Sequence, residues 1–270
     1  MCPELFHIGS IPIRSYGVML VISFFAGVLY MKWVSKRYHK PFETYLNIAY
    51  IMIFGGIIGA RLSYVLLHLS EFSGRWTSTF NPFQSDVYGI AGLNLYGGIL
   101  LAIILTFIYC RYKKLSILEV FDDFSPTLGI GLFFTRIGCF LNGCCFGTPS
   151  DIFCAVKFPE GSIPYSVFGS RHIHPSQIYS SLYGLILFLI LHFWMKNKKF
   201  TGQLIAILFM VEAVFRFAIE YVRYYEDAMN YTLMGVTFTF NQVISVSLFL
   251  LGLIIYLVQN KRTGKVAVTE

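Results

Sequence analysis

The chain has 270 residues, of which 56% are hydrophobic and 13% charged. That is about half the charge of an ordinary soluble domain, which excludes a soluble globular protein and points to a polytopic membrane protein. The net charge of +7 makes no case for a nucleic-acid partner, because the basic residues gather at the ends of apolar stretches, where they meet anionic lipid heads.

Stretches of roughly 20 apolar residues predict seven spans, near 15–34, 44–68, 92–111, 119–141, 176–195, 201–222 and 240–259. The first fourteen residues include Glu4 and Pro12 and lack a basic run leading into a short apolar core, so the first span is expected to stay as an anchor. Basic clusters follow the odd-numbered spans: Lys32, Lys36, Arg37 and Lys40; Arg111, Lys113 and Lys114; Lys196, Lys198 and Lys199; Lys261, Arg262 and Lys265. These ends are predicted to face the cytoplasm, which puts the N-terminus outside. The expected architecture is an all-α integral membrane protein of seven transmembrane helices with a cytoplasmic C-terminus. It reads as a single membrane domain over 1–270, with outer-face insertions at about 69–91 and 142–175. The second insertion contains PEGSIPYSVFGS, whose Gly, Pro and Ser predict short strands and turns in a small cap.

Within these spans a few polar side chains stand where they are expensive. An arginine at membrane depth costs at least about 2.5 kcal/mol even on the gentlest insertion scale. Arg61 falls in the second span, Arg136 in the fourth, and Arg216 with Glu220 in the sixth. Glu220 is four residues after Arg216 and three before Arg223, a spacing that predicts one helical face with a carboxylate between two guanidiniums. Guanidinium forks match phosphate oxygens, and in a bilayer that phosphate is a lipid head group. Arg61 on its own reads equally well as a structural pair with a neighbouring helix.

The richest segment is RIGCFLNGCCFG, Arg136 to Gly147, which joins a guanidinium, Asn142 and the thiols of Cys139, Cys144 and Cys145 at the end of an apolar run. The cysteines admit three readings: a structural disulfide from Cys154 to Cys144 or Cys145 or plain buried thiols; a zinc site, against which the ligand spacing does not repeat; and a catalytic thiol, best placed at Cys139. In HPSQIY, His174 to Tyr179, Pro175 and Ser176 suggest a helix start, with Ser176 as the cap and His174 and Gln177 open to either a cap or a site role. The glycines of GGIIGA and YGGIL, among them Gly97 and Gly98, predict close helix approach and could also admit a phosphate beside backbone.

Taken together, IRSYGVM (Ile13–Met19), GARLSYVL (Gly59–Leu66), LYGGIL (Leu95–Leu100), RIGCFLNGCCFG with HPSQIY, and FRFAIEYVR (Phe215–Arg223) resemble the prolipoprotein diacylglyceryl transferases of bacteria over nearly the whole chain. The resemblance implies a multi-pass protein of the bacterial plasma (inner) membrane with its site toward the outer face. It implies transfer of the diacylglyceryl group of phosphatidylglycerol to the lipobox cysteine thiol of prolipoprotein signal peptides, in lipoprotein biogenesis. Partners would be phosphatidylglycerol, the prolipoprotein signal peptide and membrane lipid, with no nucleic acid, and no metal or organic cofactor is expected.

By residue, Arg136 and Arg216 would hold the phosphate, Glu220 would orient them, and Tyr16 and Tyr96 would complete the hydrogen bonding. Cys139, Asn142, Gly97, Gly98, Gly147, His174, Ser176, Gln177, Arg61 and Arg223 would line the substrate. The chain departs from the resemblance at three places: Cys139 stands where relatives have Asn, Cys144 where they have an acidic residue, and Tyr96 where they have a His. These departures keep two other classes open, a lipid-binding or lipid-moving protein and an outer-face thiol oxidoreductase.

Overall fold

The computed structural model describes residues 2–9, 11–72, 92–225, 230–233 and 236–268. Most of the insertion expected at 69–91 therefore lies outside the described residues. Two strands, β1 (Glu4–Ile8) and β2 (Ile11–Arg14), form a two-stranded sheet that leads into α1 (Ser15–Tyr38). Then follow α2 (Phe42–Leu67), the single turn α3 (Leu69–Phe72), α4 (Leu95–Tyr112), α5 (Ile117–Asn142), α6 (Ile163–Phe168), α7 (Ser176–Met195) and α8 (Gln203–Ile219). A hairpin of β3 (Asn230–Leu233) and β4 (Val236–Thr239), in register Asn230 to Thr239 and Leu233 to Val236, precedes α9 (Phe240–Val268).

Six of these helices, α1, α2, α4, α5, α7 and α9, are long and apolar enough to cross a membrane. Their large side chains are not tucked into a water-facing protein's core: Phe25 is 67% exposed, Leu100 61% and Phe193 65%. A soluble protein does not carry that much contiguous apolar surface. The chain is a multi-pass, all-α membrane protein. The span expected at 201–222 corresponds to α8, which has 17 residues.

The described residues pack as two compact units. One comprises Met1–His7, Ile13–Tyr30 and Leu118–Glu270, the other Ile8–Pro12 and Met31–Ile117. In the second unit, α2 and α4 run close together because glycines face each other. A Cβ on Gly97 would stand 2.0 Å from the Ser63 Cβ, and one on Gly98 2.7 Å from the Gly56 carbonyl oxygen. The close approach expected of these glycines is what the helices use them for.

In the larger unit, polar bonds between helices fix the frame. Ser181 Oγ in α7 donates to the Phe133 carbonyl of α5 at 2.9 Å, and Tyr30 Oη in α1 meets His192 Nδ1 in α7 at 3.1 Å. The N-terminus of α8 is held by Asp122 of α5, which is fully buried and accepts from the amides of Gly202 at 2.7 Å and Ile205 at 3.0 Å. Lys198 Nζ pairs with the same carboxylate at 3.2 Å. A carboxylate is favourable at this helix end, where the first amides lack intrahelical partners.

The connection from α5 to α7 folds around a small core of Phe146, Phe158 and Ile173, flanked by Phe140, Val156, Phe168 and Tyr224. Here the structure corrects the sequence reading of PEGSIPYSVFGS. It forms the helix α6, because Ser162 caps it, Pro164 sits in its first turn, and Gly169 ends it with φ +64°. Extended backbone is confined to isolated bridges, Gly147 to Arg223, Pro149 to Ile173 and Val156 to Ile173.

Candidate functional site

The larger unit gathers most of the residues singled out in the sequence. Arg136 lies on the last two turns of α5, partly buried. Its guanidinium is within electrostatic reach of Cys139, Cys145, Tyr183 and Glu212, and makes no ion pair within 4 Å among the described residues. Arg216 lies on the last turn of α8 and pairs with Glu220 at 3.2 Å. Both guanidiniums act on the same carboxylate, Glu212, and on the same phenol, Tyr183. Tyr183 Oη donates to Glu212 Oε1 at 3.1 Å, while Glu212 Oε2 is buried without a hydrogen-bond partner. The two arginines thus share one acidic centre, although 80 residues of sequence separate them.

Glu220, at the C-terminal end of α8 and 5% exposed, would be unfavourable there alone, because the helix end is already negative. Four groups offset it. Besides Arg216, Tyr225 Oη donates to Oε1 at 2.8 Å, Thr239 Oγ1 to Oε2 at 2.8 Å, and Asn241 Nδ2 to Oε2 at 3.4 Å. Tyr225 Oη also accepts from Arg216 Nη2 at 3.3 Å, which closes the network. Burial pushes the Tyr225 phenol up to about 12, so it stays a donor at neutral pH.

Arg223 departs from the face expected for it. The helix ends at Ile219 and the chain turns, so Arg223 does not follow Glu220 by a helical turn. It pairs instead as a bridge with Gly147, its guanidinium lies 5.1 Å from the Tyr225 ring centre, and its Nε is buried without an acceptor. Gly147 is required here. A Cβ would come within 2.5 Å of the His174 carbonyl oxygen and 2.6 Å of that of Val222.

The RIGCFLNGCCFG segment turns sharply after Asn142, with Gly143 at φ +76° and Cys145 at φ +59°. HPSQIY pins that turn. Ser176 Oγ donates to the Cys145 carbonyl at 2.8 Å and Gln177 Nε2 to the Cys144 carbonyl at 2.9 Å. Ser176 therefore does not cap α7: the N-cap position is Pro175, with no side-chain cap. His174 Nδ1 meets Tyr179 Oη at 3.4 Å, and Tyr179 Oη meets Cys154 Sγ at 3.2 Å. All six cysteines are free thiols, so the disulfide from Cys154 to Cys144 or Cys145 is not formed.

The Sγ atoms of Cys139, Cys144 and Cys145 instead lie within 4.8 Å of one another. Asn142 reaches the Cys144 thiol. Hydrogen bonds with Cys139 and Cys144 hold the Cys145 thiol below its usual range, and the guanidiniums of Arg223 and Arg136 act in the same direction against burial. Tyr16, on the first turn of α1, feels the same three thiols and Arg136, and touches α5 at Gly138.

Arg61, Tyr96, Gly97 and Gly98 belong to the smaller unit. Arg61 is buried, donates to the Gly92 carbonyl at 3.2 Å, and lies 5.7 and 5.2 Å from the ring centres of Tyr64 and Phe72. Tyr96 lies in the first turn of α4, its amide held by the Asn94 side chain at 3.0 Å, and the residue is 51% exposed.

The family model described as prolipoprotein diacylglyceryl transferase matches residues 3–258. The chain belongs to that family. Similar relatives are the phosphatidylglycerol–prolipoprotein diacylglyceryl transferases of Campylobacter hominis, 30% identical over 97% of this chain and 92% of the relative, and of Pseudoalteromonas translucida, 31% identical over 98% and 96%. That of Clostridium tetani is 29% identical over 83% and 86%.

Glu212, Tyr183 and Asp122 escaped the sequence reading although each is ionisable or polar inside an apolar helix. Glu212 in α8 carried a usable signal, a carboxylate four residues before Arg216. Tyr183 carried none, because tyrosines are common in such helices.

Proposed function

We propose that the chain transfers the diacylglyceryl group of phosphatidylglycerol to the thiol of the lipobox cysteine in prolipoproteins, forming a thioether and releasing glycerol phosphate. The observation that carries this reading is the convergence of Arg136 and Arg216 on Glu212 within a protein of the diacylglyceryl transferase family. The reaction breaks a carbon–oxygen bond to phosphate. Two guanidiniums in a site of low dielectric stabilise the charge that develops on the leaving phosphate.

In this reading Arg136 and Arg216 hold the phosphodiester, Glu220 and Tyr225 keep Arg216 in place, and Tyr16 donates to a phosphate oxygen. Glu212, with one carboxylate oxygen unpartnered, accepts the proton of the acceptor thiol. Asn142, Gly147, Arg223, His174, Ser176 and Gln177 shape the turn that carries the cysteines, and Gly97 and Gly98, within their own unit, let α4 approach α2. Arg61, which meets two aromatic rings and a carbonyl in its own unit, holds structure there.

The chain works as one membrane domain of the bacterial inner membrane. It crosses seven times with α8 as the sixth crossing, its N-terminus and its site at the outer face. Mass spectrometry of a lipobox peptide incubated with the purified protein and phosphatidylglycerol vesicles tests the reaction. The cysteine should gain one diacylglyceryl group. An unmodified peptide, beside a relative active in the same vesicles, would contradict the transfer and leave lipid binding as the function.

A further inference from the structure

Cys139, Cys144 and Cys145 bring three sulfurs within 4.8 Å of one another from two pieces of backbone, the last turn of α5 and the turn that follows it. A tetrahedral zinc ion with Zn–S bonds of about 2.3 Å separates its sulfurs by about 3.8 Å, so closing this cluster on an ion takes side-chain adjustments of an ångström or so. The spacing is not an accident of a floppy loop. Cys139 is 7% exposed on a helix, the Cys144 amide donates to the Cys139 carbonyl at 3.1 Å, and Gln177 and Ser176 hold the carbonyls of Cys144 and Cys145. Outer partners of this kind fix the ligands of metal sites.

Two further observations point to a ligand. Three thiolates around a divalent ion leave a net negative charge, and the guanidiniums of Arg136 and Arg223 stand within electrostatic reach of Cys145 to balance it. Arg223 also keeps a buried Nε–H without an acceptor, a donor that a metal-bound sulfur would satisfy. No fourth His, Cys, Asp or Glu joins the cluster among the described residues, and Cys144 and Cys145 are only half-buried. Three protein ligands and an open side are the pattern of a catalytic zinc, not of a closed structural one.

We propose that Cys139, Cys144 and Cys145 bind one zinc ion whose open position takes the acceptor thiol of the substrate as its thiolate. This rests on the transfer reading above and supplies the nucleophile it needs. Coordination strips the proton from the acceptor thiol. The sulfur attacks the glyceryl carbon, a carbon–sulfur bond forms, and the carbon–oxygen bond breaks with its electron pair going to the phosphate oxygen. Glu212 takes the proton shed by the thiol and returns it to the departing glycerol phosphate, so no oxidant or reductant is consumed.

The test uses the full chain purified in detergent under reducing conditions. It is loaded with Zn2+ alone, desalted and assayed for bound metal, and separately loaded with Co2+ for its absorption spectrum. One ion per chain and a sulfur-to-cobalt charge-transfer band are expected, with metal lost in Cys139→Ser and Cys144→Ser and kept in Cys154→Ser. Absence of the band in the folded intact protein overturns the site, as does a disulfide joining two of the three cysteines in protein isolated without reductant. Transfer to a lipobox peptide should fall to background after chelation and return with Zn2+. Undiminished transfer by metal-free protein overturns the proposal and leaves the transferase standing. Stoichiometric metal with no transfer in any metal state overturns the catalytic role together with the transferase reading, while the metal assay still reports the site.

Discussion

Glu212 is the carboxylate within electrostatic reach of both arginines, and it shows most plainly what single side chains do in this site. As the proposed proton acceptor, Glu212→Gln should lower the transfer rate by about 100-fold, the usual weight of a general base. The substrate concentration for half-maximal rate should change little, and steady-state kinetics would read the split. A loss confined to that concentration would place Glu212 in binding alone.

Tyr225 gives a pH prediction. Burial raises its phenol from 10.0 to about 12, so the folded state favours the neutral form. The stability this represents is complete below about pH 10 and is lost as pH rises from there through about 12. Thermal midpoints in detergent should fall across that window, and less steeply in Tyr225→Phe. Arg136, Arg216 and Glu220 were legible as residues because a charge in an apolar run is conspicuous. The thiol cluster was legible only as composition: the spacing of Cys139, Cys144 and Cys145 does not announce that a turn with φ +59° at Cys145 folds the last two back over the first.

At the scale of elements, helix interiors followed from apolar content while helix ends depended on distant partners. α8 starts where it does because Asp122, 80 residues earlier, accepts from the Gly202 amide. Asp122→Ala would leave those amides and Lys198 unanswered in a buried place, and should cost about 3 kcal/mol. Thermal unfolding in detergent would register it. Arg223 was read onto a helical face with Glu220 because periodicity cannot see that the helix stops at Ile219. Ser176 was read as a cap for a similar reason: a local motif predicts a local bond, and its hydroxyl finds the Cys145 carbonyl instead. α6 was misread as strand because Gly, Pro and Ser mark turns and helix caps alike.

At the scale of the whole molecule, composition and hydropathy gave the membrane class and seven expected spans, six of which are helices long enough to cross, since a bilayer demands continuous apolar length. α8 is shorter and carries Glu212 and Arg216, and the proposed seventh crossing rests on it. The basic clusters at or just past the C-terminal ends of α1, α4, α7 and α9 set the proposed orientation. A green fluorescent protein fused at the C-terminus should fluoresce, as it folds in the cytoplasm, and alkaline phosphatase at the same place should be inactive. The reverse result would invert the topology and move the site to the inner face.

The central claim is that Arg136 and Arg216 together hold the phosphate that leaves. Its most direct test is the single-turnover rate of diacylglyceryl transfer from phosphatidylglycerol to a lipobox peptide by the intact protein, Arg136→Ala and Arg216→Ala. Each variant should lose about 100-fold or more, the cost of removing one charge-stabilising donor. The double variant should lose little beyond the worse single one if the two act as a unit. Rates within a few-fold of the intact protein, in variants that fold and bind lipid, would contradict the account.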